Sequence, residues 1–100
     1  MQVWEGESFI SSSQTQEIGV SVFDGESPVV NIEPVVTLTL PEGAEMTYYF
    51  PPTDEDGKSL VRLNPIQASN GSIVEYKVCV DDGTGEPFCV KDSFVIWFNP

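Results

Sequence analysis

Apolar side chains in this chain recur at every second residue, the spacing of a strand with one buried face. In Gln16–Phe23, Ile18, Val20 and Val22 share one side. In Val35–Leu40, Val36, Leu38 and Leu40 oppose Thr37 and Thr39. Val61 and Leu63 oppose Arg62, and Val74, Tyr76, Val78 and Val80 line one side of Ile73–Val80. The last run, Phe88–Phe98, places Phe88, Val90, Phe94, Ile96 and Phe98 together. Val, Ile, Thr and aromatic residues dominate these runs, and Gly, Pro, Asn or Asp bound them. No segment carries an apolar stripe at helical spacing with a cap.

These runs predict about seven strands. They fall at Val3–Ile10, Gln16–Phe23, Val35–Leu40, Met46–Phe50, Ser59–Leu63, Ile73–Val80 and Phe88–Phe98, with a short extra strand over Pro28–Ile32. Pro34 cannot donate to a ladder and marks a bulge or a change of sheet. Asp24-Gly25, Glu42-Gly43, Asp56-Gly57, Asn70-Gly71 and Asp82-Gly83 read as tight turns. Sheets with one apolar face must bury those faces against each other. The expected fold class is therefore all-β: an antiparallel, two-sheet, Ig-like β-sandwich forming one domain over residues 1–100.

Composition narrows the function. The chain has 40% hydrophobic residues, enough for a core, and 16 acids against 4 bases, a formal charge of −12. Such a surface repels phosphate backbones and anionic headgroups, which argues against nucleic acid and membrane partners. With no histidine, the commonest general base and most zinc or copper sites are missing. No apolar run approaches the roughly 18 residues of a membrane span. Met1–Glu7 has neither the basic nor the apolar region of a leader peptide, so a secreted location would make the chain a fragment or mature form.

From Ile18 onward the order of features resembles bacterial Ig-like (Big) domains of the invasin and intimin type. The residues that carry it are Ile18–Asp24, then Ser27-Pro28-Val29-Val30, Val35–Leu40 and Thr53–Leu63, followed by a closing hairpin. Macroglobulin-like and prealbumin-like sandwiches carry similar elements. The resemblance implies an extracellular spacer or adhesion module at a bacterial cell surface, with neighbouring domains or another surface protein as partners. It carries no catalytic residues. The chain departs from the family in its acidity and in Cys79 and Cys89 of the last hairpin.

The two cysteines share strand parity with Lys77 and Lys91, outside the Val/Phe face. A loop centred on Thr84 sets them directly opposite, and the closer, non-hydrogen-bonded type of cross-strand pair brings them within disulfide reach. In an extracellular setting they read as a staple of the hairpin. Two unpaired thiols are the alternative.

In a seven-strand sandwich, alternate loops emerge at one end. Those loops carry Asp24, Glu26, Glu33, Asp54, Glu55, Asp56, Asp81, Asp82 and Glu86, nine of the sixteen acids. Crowded carboxylates repel, and a hard oxygen-loving cation such as Ca²⁺ would relieve them. Asp54, Asp56, Asp81, Asp82 and Glu86 are the calcium candidates. The match to a calcium loop is incomplete, and Asp and Gly favour turns without any metal.

Carboxylate pairs can hydrolyse glycosides, but exposed turn acids lack the desolvation that raises an acid's pKa, so no enzyme and no cofactor are expected. Trp4 and Trp97 could stack on a sugar ring if they met, or cover a sheet edge. Asn70-Gly71-Ser72 matches a glycosylation sequon and also a plain turn. Lys58, Lys77 and Lys91 are candidates for an isopeptide cross-link, which needs buried groups. The expected function is a non-catalytic structural or adhesion module, with a calcium-dependent or carbohydrate-binding module as the alternative.

Overall fold

The structure is a computed structural model that describes residues 1–6, 9–10, 15–66, 68–69, 71–81 and 87–97. It is all-β. The strands are β1 (Gln2–Glu5), β2 (Phe9–Ile10), β3 (Gln16–Ser21), β4 (Phe23–Asp24), β5 (Ser27–Pro28), β6 (Val35–Thr39), β7 (Glu45–Tyr49), β8 (Lys58–Leu63), β9 (Ser72–Val80) and β10 (Phe88–Ile96). They form a three-stranded sheet β1-β3-β8, a five-stranded sheet β2-β10-β9-β6-β7 and the ribbon β4-β5. The register fixes which side chains share a face: Val20 sits between Val3 and Ser59, and Val78 between Val36 and Val90.

Both larger sheets feed one buried cluster. Ile18 and Val20 of β3 and Leu63 of β8 join Val36, Leu38, Val74, Tyr76, Val78, Phe94 and Ile96 of the five-stranded sheet. The alternation predicted those inward faces. Lys77 and Lys91 point outward, directly opposite each other. Tyr76 and Phe94 stack at an angle, with ring centroids 6.1 Å apart. No buried side-chain nitrogen or oxygen among the described residues lacks a partner.

The all-β class is as expected, while the number of strands, the number of sheets and one pairing direction differ. The strands exceed seven because two predicted runs are broken and β5 is added. The first run, Val3–Ile10, is split: β1 lies in one sheet and β2 in the other. The break follows Gly6, whose N–H still donates to the Glu17 carbonyl at 2.8 Å. β2 then runs parallel to β10, so the sheets are not wholly antiparallel. The second run ends at Ser21, and Phe23–Asp24 turns away to pair with Ser27–Pro28. Of the extra strand expected over Pro28–Ile32 only Pro28 is paired, in β5; residues 29–32 form no strand. Met46–Phe50 is β7, hairpin-paired to β6.

Phe88 is a further correction. It has inward parity but is 57% exposed at the first residue of β10, although its cross-strand partner Val80 is buried. Phe98 lies outside the described residues. Of the predicted turns, Gly25, Gly43, Gly57 and Gly71 all take positive φ, while Gly83 lies outside the description.

Candidate functional site

One pole of the molecule gathers the loops that the sequence singled out. Ser21 pairs with Lys58, and Val35 lies between Tyr49 and Cys79. Segments 22–34 and 50–57 therefore start and end beside the tip of β9. They are laced together through one threonine. Thr53 is buried; its hydroxyl donates to the Val29 carbonyl at 2.7 Å and accepts from the Ile32 N–H at 3.0 Å. Its backbone N–H donates to Ile32 O, and its carbonyl accepts from Asn31 N–H. Asn31 adopts a φ of 67°, which asparagine tolerates better than most residues. Nothing in the local sequence marks Thr53, since its partners lie more than twenty residues away.

Asp54 has a structural task. Its Oδ1 accepts from the backbone N–H of Asp56 at 2.9 Å and of Lys58 at 3.0 Å. Its own N–H donates to Lys58 O, and Gly57 N–H donates back to Asp54 O. The carboxylate thus closes its own turn, the ordinary reason for aspartate there.

Asp24, Glu26, Glu33, Asp54, Glu55, Asp56 and Asp81 all lie exposed at or beside this pole. Of the calcium candidates, Asp54 and Asp56 share the 54–58 turn and Asp81 follows β9. Asp82 and Glu86 lie outside the described residues. Among the described residues, no group of three or more His, Cys, Asp or Glu is placed to hold a metal ion.

Cys79 and Cys89 form a disulfide. They are directly opposed in the β9–β10 ladder with Cα atoms 4.1 Å apart, the close spacing of a non-hydrogen-bonded pair. The bond lies on the outer face of the five-stranded sheet, where Val35 neighbours Cys79.

Two concavities accompany these features. A depression of about 490 Å³ on the outer face of the five-stranded sheet is lined by Thr37, Thr39, Glu75, Lys77, Lys91 and Ser93, among others. It mixes charges of both signs. A second, of about 420 Å³, lies at the acidic pole. Buried Val22 and Val80 line it with half-buried Val29 and Ile32, and exposed Phe23 and Phe88 flank it.

The two tryptophans sit beside different sheets. Trp4 lies on the three-stranded sheet over Gly19, so close that a Cβ on Gly19 would fall 2.2 Å from its Cε2. Trp97 follows β10 in the other sheet, its N–H donating to Ile10 O at 2.7 Å. Lys58, Lys77 and Lys91 are all exposed. Asn70 of the sequon lies outside the described residues.

Comparison with protein-family models, with curated proteins and with solved structures found no match.

Proposed function

We propose that this chain is a non-catalytic Ig-like β-sandwich module of an extracellular or cell-surface protein, acting as a spacer or adhesion domain. The observation that carries the reading is the strand order. A three-stranded and a five-stranded sheet both contribute to one buried cluster, and the first predicted run is divided between them. An Ig-type sandwich likewise divides its strands between two sheets over one core, and its variable type adds further strands to the sheet that holds the closing hairpin. The disulfide on an exposed sheet face fits an oxidising compartment. The dense surface charge suits a module that must stay soluble beside its neighbours.

The test is immunolabelling of the full-length protein in its native cell. Labelling of intact cells supports the reading; labelling only after permeabilisation overturns it. A melting temperature unchanged by millimolar Ca²⁺ against chelator would remove the calcium alternative.

A further inference from the structure

The pole that gathers seven of the described acids also exposes apolar surface. Phe23 and Phe88, 43% and 57% exposed, line a groove together with buried Val22 and Val80. Large apolar side chains grouped beside a groove commonly mark an interaction surface. Of the charged side chains, Asp24 lines the groove together with apolar Met1, Glu26 sits in the β4–β5 turn and Asp81 directly follows Val80. No Lys or Arg lines it.

That combination selects the occupant. A second copy would bring another −12 charge against the same carboxylates. Anionic lipid and nucleic acid are repelled for the same reason. A segment bearing lysine or arginine around one or two aliphatic side chains satisfies both halves of the surface. Its apolar tip would fill the groove and its cations would meet the rim.

We propose that this groove docks a basic segment of a partner protein, anchored by an aliphatic side chain between Phe23 and Phe88. The inference deepens the adhesion reading above and rests on it. Thr53 contributes indirectly, because its hydroxyl holds the Val29 and Ile32 backbone behind the groove.

The experiment uses three fluorescent nonapeptides: lysine-rich with two central leucines, the same peptide with glycines for leucines, and an aspartate counterpart of the first. Anisotropy and amide chemical shifts are followed on the whole chain. Saturable binding of the leucine peptide is expected, with shifts centred on Val22, Phe23, Val80 and Phe88. Glycine replacement, or Phe88→Ser in the protein, should each weaken it about tenfold. Tyr49→Ser, an exposed change on β7 outside the groove, should leave it unaltered. Equal binding of the leucine and glycine peptides, shifts centred elsewhere, or no saturation would overturn the proposal. So would a concentration-dependent dimer that Phe88→Ser abolishes. Intact-cell labelling reports on the module reading independently of these outcomes.

Discussion

The phenol of Tyr76 on β9 donates to Oε2 of Glu5 on β1 over 2.7 Å, tying two sheets that are not paired with each other. Tyr76 is 2% exposed, so the bond is formed at the margin of the core. Tyr76→Phe keeps the ring packing and removes the tie. A hydrogen bond to a charged group supports a loss of about 1.5–3 kcal/mol, measurable by urea denaturation.

The same residue sets an alkaline limit. Burial, then the hydrogen bond and the negative charge of Glu5, push the Tyr76 phenol well above its ordinary value of 10.0. The unfolded chain releases that proton first, so its contribution to stability is complete below pH 10 and declines as pH rises further. Melting temperatures between pH 8 and pH 11 should fall more gently for Tyr76→Phe than for the parent chain.

Gly57 and Gly43 form a controlled comparison. Both have positive φ, 75° and 94°. A Cβ at Gly43 meets nothing, whereas at Gly57 it would lie 2.5 Å from the Val22 carbonyl oxygen. Gly43→Ala should cost about 1 kcal/mol from backbone conformation alone. Gly57→Ala should cost at least about 2 kcal/mol more, because the carbonyl it displaces accepts the Val29 N–H. Equal losses in denaturant melts would contradict this account.

Thr53→Val preserves shape and deletes the hydroxyl that serves Val29 and Ile32. The expected loss is about 1–3 kcal/mol. Hydrogen exchange at the Ile32 amide should accelerate beyond what global destabilisation explains, which a purely volumetric role would not produce.

Reduction of Cys79–Cys89 releases a closure of sequence separation 10. The chain-entropy relation gives about 2–3 kcal/mol. A melt with and without phosphine reductant measures it, and a Cys79→Ser, Cys89→Ser chain should match the reduced protein.

The parts of the fold legible in the sequence are those governed by local alternation. Val74, Tyr76 and Val78 are buried as read, since period two decides which side chains of a strand share its buried face. Parity says nothing about whether cover exists. Phe88 and Met46 have inward parity yet remain 57% and 38% exposed, one at a strand tip and the other on the edge strand β7. The parallel pairing of β2 with β10 joins Ile10 to Ile96, a contact that no nearby residue encodes. The acidic loops and the opposed cysteines could be read from topology and hairpin register. The groove could not, because it is assembled from Val22, Val29 and Val80, far apart in the chain.

The parallel pair has a mechanical consequence. β2 lies toward the beginning of the chain and β10 toward its end, and both point the same way. Tension that separates the two ends drags these strands lengthwise past each other. Their ladder bonds, with Trp97 N–H to Ile10 O continuing the row, then bear load together instead of unzipping in turn. Single-molecule pulling along that axis should meet more resistance than pulling across the β6–β7 hairpin. A linker in a stalk would gain from the difference, since force would arrive along its stiffest direction.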